Sequence, residues 1–455
     1  MKTLIHNATI VNEGRIFSGS VLIDGDRIAE ISEYSDCSEY SEYSERIEAD
    51  GLLLLPGVID THVHFRDGGD SENPAGDFAT ESRAARAGGV TSVIDMPNTN
   101  PQTVNLEALE RKEQLAARVS AVNYGFMLGA TNSNIDTLLA IDPKRYAAIK
   151  LFLGSSTGNM LVNDTEQLDH LFRDARKLIV AHCESESIVQ ANMQSLKQQY
   201  QGTAEETAAL HPKVRTTEAC FVSTYRAIER ARRFGTRLHI AHVSTAAELE
   251  LLSNFDLCDK RKHVTAEVTP NHLCFDDRDY AKLGNLIKCN PSIKTNDDSF
   301  ALWMGLADDR IDTIGSDHAP HTLEAKQRPY FDAPSGIPSI QHTLQMMLEE
   351  VFLPEAVNDP NIPKWRDQML PMIVQKMCHN PAMLFGIEGR GFIRPGYKAD
   401  LVLVRPDVVE TVTRGSLLYK CGWSPLEGQS FHTHIERVWV NGKEDGGAEQ
   451  LTFNK

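Results

Sequence analysis

No stretch of this chain approaches the ~18 consecutive apolar residues of a membrane span, so no membrane partner is expected. Met1–Glu13 has no basic segment leading into an apolar core, which predicts no secretory leader. Cysteines are few and scattered: eight, from Cys37 to Cys421, without one CxxC pair. That argues against a disulfide framework and fits a reducing cytoplasm. Basic residues are in deficit, 46 Lys and Arg against 63 Asp and Glu, for a net charge of −17. Such a surface repels phosphate backbones and argues against nucleic acid as a partner. It also means that an anionic small-molecule substrate must be met by locally placed cations. Repeats of fixed period are absent. So is a Gly-x-Gly-x-x-Gly fingerprint after the first strand of the alternating region, which weakens a dinucleotide-binding open sheet.

What is present is an ordinary globular balance of 41% apolar and 24% charged residues over 455 positions. One hydrophobic core stops growing at roughly 250–300 residues, so a large domain plus a smaller one is expected. Thr3–Val11 and Ser18–Ile23 read as strands, with a turn at Asp24–Gly25–Asp26. The far end reads alike: Ala399–Val404, then Ile435–Val440 and an Asn441–Gly442 turn. This predicts a small β domain built from both ends, residues 1–55 plus 390–455. The Ser/Glu/Tyr-rich segment Ser32–Arg46 reads as an exposed loop or hairpin tip.

The middle, residues 56–389, alternates apolar β runs with helical stretches. The runs are Val58–Phe65, Thr91–Pro97, Ala121–Leu128, Ala147–Leu153, Leu178–His182, Arg237–Val243, His263–Val268 and Ile311–Ser316. Helical stretches between them include Leu106–Arg118, Thr165–Arg176, Thr216–Phe234 and Ala246–Leu252. Alternation of this kind indicates a parallel sheet. Eight units predict an α/β fold, a (β/α)8 TIM barrel, with an open doubly wound sheet as the alternative.

Barrel active sites gather at the C-terminal ends of the strands. His62 and His64 are two apart, so a strand points both to one side. His182, His242 and Asp317 end three other runs. Four histidines and an aspartate at corresponding ends of four strands suit a borderline divalent metal such as zinc. Lys150 sits inside an apolar run, where a buried ammonium beside metal cations is costly. A carbon dioxide adduct on its amine gives an anionic carbamate able to bridge two metals. His211, Pro212 and Arg215 read as a loop and helix start. His239 is offset from His242 by an odd number and is expected to face away from the barrel interior. Cys183 alternates away from His182, and no nucleophilic cysteine is indicated.

These residues resemble the binuclear amidohydrolase pattern. Met96–Pro97–Asn98–Thr99 suggests its cyclic-amidase branch. More narrowly, His62–Val63–His64–Phe65–Arg66–Asp67, Cys289–Asn290–Pro291 and Ser316–Asp317–His318–Ala319–Pro320–His321 resemble the dihydroorotase family. Pro334–Ser335–Gly336–Ile337 looks like its substrate loop, with Ser335 and Gly336 as contacts. Asn380–Pro381–Ala382 and Arg394–Pro395–Gly396–Tyr397–Lys398–Ala399–Asp400 are similar to features of cyclic amidohydrolases generally. One departure stands out. Lys150–Leu151–Phe152–Leu153–Gly154 looks like the lysine version of the bridging segment, shared with hydantoinases and allantoinases, where some dihydroorotases of this length use Asp-Asp-Gly.

The resemblance implies two divalent metals, zinc by default. His62, His64 and Asp317 would hold one, His182 and His242 the other, and N6-carboxylated Lys150 would bridge them. Two metals ~3.5–4 Å apart can share the attacking hydroxide and polarise a carbonyl, with Asp317 as proton shuttle. The implied reaction is the reversible cyclisation of N-carbamoyl-L-aspartate to L-dihydroorotate in pyrimidine biosynthesis. Both compounds carry a carboxylate, and the planar guanidinium of Arg66 can bind one through two parallel hydrogen bonds. Asn98, Asn290 and His321 would add donors. The bland reading pairs Arg66 with Asp67, Asp70 or Glu72 at the surface. Allantoinase and hydantoinase or dihydropyrimidinase activity is the alternative, against which Arg66 discriminates. A metal-free scaffold is a third reading, against which stand all six candidate ligands. A homodimer or homotetramer is the family expectation.

Overall fold

The computed structural model describes residues 2–33, 43–68, 73–154, 160–353 and 362–454. Most of the Ser/Glu/Tyr segment, residues 34–42, lies outside them, as do Asp70 and Glu72. The fold is mixed α/β with a separate sheet.

That sheet is built from both ends of the chain. Its N-terminal strands are β1 (Lys2–Asn12), β2 (Arg15–Asp24), β3 (Arg27–Ser32), β4 (Glu45–Glu48) and β5 (Leu53–Pro56). Glu13 and Gly14, with φ of 50° and 75°, make the tight β1–β2 turn. A second group of strands follows. They are β6 (Val58–Val63), β7 (Val90–Asp95), β8 (Asn123–Phe126), β9 (Leu128–Gly129), β10 (Ile149–Phe152), β11 (Ile179–His182), β12 (Leu238–Ile240), β13 (Val264–Val268) and β14 (Thr313–Ile314). The chain then returns to the first sheet with β15 (Leu401–Thr411) and β16 (Ser430–Trp439). The order there is β16-β15-β5-β1-β2-β3, with β4 also on β1. Ile5, Ile10, Val21, Leu54, Leu403 and Trp439 share its core.

The second group is parallel throughout, in the orders β6-β7-β8 and β9-β10-β11-β12-β13-β14. Only Met127 separates β8 from β9. At the far end, Val63 pairs in parallel with His318, and the His64 N–H donates to the His318 carbonyl at 2.8 Å. The first strand of the series is thus joined to the segment just after the last.

Ile149, Leu151, Ile179, Ala181, Leu238 and Ile240 share one core with Leu168, Leu171, Phe172, Ala227 and Ile228 of the covering helices. The opposite face carries Lys150, Val180, His239 and Thr265 in register. His239 therefore shares the face of Lys150, contrary to the expectation from residue parity. Strand β12 ends at Ile240, and His242 has φ 37°, so counting by twos does not carry across to His242. Among the described residues, no helix is long and apolar enough to cross a membrane.

Candidate active site

His62 and His64 sit at the end of β6, and each ring is fixed through Nδ1. His62 Nδ1 lies 2.6 Å from Glu267 Oε1, and His64 Nδ1 lies 2.7 Å from Asn98 Oδ1. Acceptors at both Nδ1 atoms place the protons there. The two Nε2 lone pairs then converge on Asp317 Oδ1, at 3.2 and 3.1 Å. The ligand atoms of His62, His64 and Asp317 all lie within 4.8 Å of one another. Three lone-pair donors facing each other in a buried space repel unless a cation lies between them, so this donor set fits a divalent metal.

His182 at the end of β11 and His242 beyond β12 form the second pair, with His182 Nδ1 2.9 Å from His242 Nε2. The other nitrogen of His182, Nε2, donates to Glu184 Oε2 at 2.9 Å, and Arg215 holds the same carboxylate oxygen. This carboxylate–imidazole arrangement commonly orients a metal-ligating histidine. The His62 and His242 rings are 5.3 Å apart, so the two groups adjoin. Lys150 Nζ is buried without a hydrogen-bond partner among the described residues, as is His242 Nδ1.

Electrostatics follow from burial and neighbours. Burial pulls Lys150 down to about 8, so roughly a tenth of its amine is neutral at pH 7. The neutral amine is the form that adds carbon dioxide. Burial lowers Arg66 to about 10, which leaves it cationic at neutral pH.

Of the expected residues, His62, His64, Lys150, His182, His242, Asp317, Asn290, Ser335 and Gly336 line one cavity with Phe152 and Ala319. Arg66, Asn98 and His321 do not form its walls. Asn98 stands behind His64. Arg66 is buried, its Nε donating to the Pro320 carbonyl at 3.2 Å and its Nη2 lying 3.3 Å from His321 Nε2. His321 Nε2 donates to the Ser335 carbonyl at 3.0 Å and so braces the wall. Gly336, at φ 145°, has no room for a side chain, since a Cβ would lie 2.3 Å from the Ala319 carbonyl.

Several supporting residues carry no sequence signal. Glu267, Glu184 and Lys326 are isolated charges; Lys326 Nζ donates to the carbonyls of Lys288, Pro334 and Gly336 and so pins the loop that holds Ser335 and Gly336. His211 and Arg215, read as a loop and helix start, support the site directly. His211 Nε2 lies 2.8 Å from the Cys289 carbonyl and 3.2 Å from Asn290 Oδ1. Arg66, His242 and Asp317 take positive φ of 67°, 37° and 46°, strain of a kind that clusters at functional sites.

The amidohydrolase family model matches residues 53–444. The chain is 34% identical over 377 residues to a dihydroorotase of Halobacterium salinarum, covering 82% of each protein. It is 28% identical over 450 residues to an allantoinase of Salmonella paratyphi B, covering 96% of this chain and 94% of that one. Among solved structures it is similar to the L-hydantoinase (dihydropyrimidinase) of Arthrobacter aurescens, with TM-score 0.88, 26% identity and 99% of each chain covered.

Proposed function

The chain belongs to the amidohydrolase family, and from that premise we propose that it is a dihydroorotase, interconverting N-carbamoyl-L-aspartate and L-dihydroorotate in pyrimidine biosynthesis. The observation that carries this reading is a buried arginine, Arg66, two residues beyond His64 in a chain 34% identical to a dihydroorotase. The parallel series closes into a (β/α)8 barrel over residues 56–389, supported by the hydrogen bonds joining β6 to the segment after β14. The two ends, 1–55 and 390–455, form the companion β domain. The enzyme acts in the cytoplasm as a homodimer or homotetramer.

His62, His64 and Asp317 would hold one divalent metal, and His182 and His242 a second. Lys150, N6-carboxylated, would bridge them, which gives its otherwise unpartnered Nζ a role. Zinc suits imidazole and carboxylate donors. When bound, such metals polarise a carbonyl and lower the pKa of water toward ~7.

The remaining work falls to side chains. Asp317 Oδ1 is the oxygen that lies with the two imidazole nitrogens and would ligate the metal beside them, so Oδ2 is left to carry a proton. In ring opening it takes the proton of the attacking water and delivers it to the departing ring nitrogen; in closure it runs the other way. We assign the substrate carboxylate to Arg66, whose guanidinium stands behind the wall against His321; Asn290, Ser335 and Gly336 line the cavity, and Asn98 and His321 brace it from behind.

The test is hydrolysis of L-dihydroorotate alongside hydantoin, dihydrouracil and allantoin with zinc supplied. Activity confined to dihydroorotate is expected. Turnover of an uncharged ring instead would move the assignment to the allantoinase or hydantoinase type. Asp317→Asn at retained metal content should lose about 10²–10⁴-fold in kcat; near-normal turnover would remove the shuttle role.

A further inference from the structure

One buried carboxylate left unused by this chemistry touches both halves of the site. Glu267 stands on β13 and is 1% exposed. Its Oε1 accepts from His62 Nδ1 at 2.6 Å and also from the backbone N–H of His242 at 3.3 Å. The main chain repeats the tie, since the Val243 N–H donates to the Glu267 carbonyl at 2.7 Å. Room for the carboxylate depends on Gly315, where a Cβ would sit 2.4 Å from Glu267 Oε2. The other supports differ: Asn98 touches the ring of His64, and Glu184 that of His182.

From this geometry we infer that Glu267 is a positioning residue shared by the two metal half-sites. It keeps the His62 proton on Nδ1, so that Nε2 offers its lone pair toward Asp317. It also fixes the left-handed main chain at His242, φ 37°, that turns that imidazole toward His182. Loss of Glu267 therefore loosens both metals, whereas loss of Asn98 loosens one. The inference rests on the two-metal reading above.

The experiment compares full-length wild type, Glu267→Gln and Asn98→Ala, all prepared with zinc. Zinc per chain is counted after gel filtration, and zinc release to a chelator is followed in time. Wild type should hold two zinc ions. Glu267→Gln should release both about 10–100-fold more readily, the usual cost of losing a partner behind a metal ligand. Asn98→Ala should change only one release phase. Two ions held by Glu267→Gln at wild-type rates, or a change in one phase only, would overturn the inference while leaving the metal reading intact. A wild-type chain that takes up no zinc would overturn that reading and this inference together. The wild type also answers without any variant, by nitrogen-resolved magnetic resonance of the metal-free chain. A hydrogen-bonded proton on His62 Nδ1 is expected; a proton on Nε2 overturns the inference.

Discussion

Arginine and lysine both carry one positive charge, but only the guanidinium offers a planar pair of donors to a carboxylate. Arg66 is buried and still cationic near neutral pH, so its exchange for lysine tests geometry more than charge. Hydrogen bonds to charged groups contribute about 1.5–3 kcal/mol. Arg66→Lys should therefore lower kcat/KM for L-dihydroorotate about ten- to a hundredfold, measured beside a circular-dichroism check of folding. Unchanged kinetics would remove the carboxylate role. At this scale the histidines, Asp317 and Lys150 were legible because polar groups at the ends of apolar runs have few structural explanations in common. Glu267 was not, because a single acid inside His263–Val268 carries no spacing signal. His239 was misplaced because the turn of the chain at His242, φ 37°, breaks a count that holds only within a strand.

Helices show a similar division between pattern and partner. The expected stretches at 106–118, 165–176 and 216–234 correspond to helices Leu106–Val119, Thr165–Asp174 and Thr217–Phe234, because the apolar period and the caps agree. Asn105, Asp164 and Thr216 cap them through their side chains. The role of Lys112 within the first of these could not be read from period alone. It lies on the buried face and reaches inward to Asp95 at the end of β7, also donating to the Met96 carbonyl at 3.1 Å. The other oxygen of Asp95 accepts the Phe65 N–H at 2.8 Å, between His64 and Arg66. Helix, strand and site loop are thus tied by one ion pair. Lys112→Met would leave Asp95 buried without its counter-ion, a change that costs about 3–5 kcal/mol. Urea unfolding should report a loss of that size, and a loss under 1 kcal/mol would show that the strut does not bear the loop.

On the scale of the whole molecule, the generic motif ending at Asp400 acquires a physical meaning. Asp400 is buried at the head of β15, where the terminal sheet meets the parallel strands. It accepts from Arg390, from Asn123 Nδ2 of β8 at 3.1 Å and from the Asn441 N–H at 2.7 Å. Asn441 Nδ2 in turn donates to Asn123 Oδ1 at 2.7 Å, and the Glu449 N–H reaches the same oxygen at 3.1 Å. The Asn441–Gly442 turn, with φ of 50° and 73°, was legible as a turn; its place in this knot was not, because Asp400 lies 41 residues away in sequence and Asn123 318. Removing one member of a buried polar network leaves the groups bonded to it without that partner in a low-dielectric place. Asp400→Ala would leave the Asn441 N–H without its acceptor, while Arg390 keeps Glu449 and Asn123 Nδ2 keeps the Thr91 carbonyl, so it should cost about 1–3 kcal/mol. Since the knot joins both sheets, the loss should lower the melting temperature of one shared transition, followed together by circular dichroism and dihydroorotate turnover. Two separated transitions in the wild type, or a variant melting within a degree of it, would mean that the sheet built from the chain ends folds independently of the strands that carry the site.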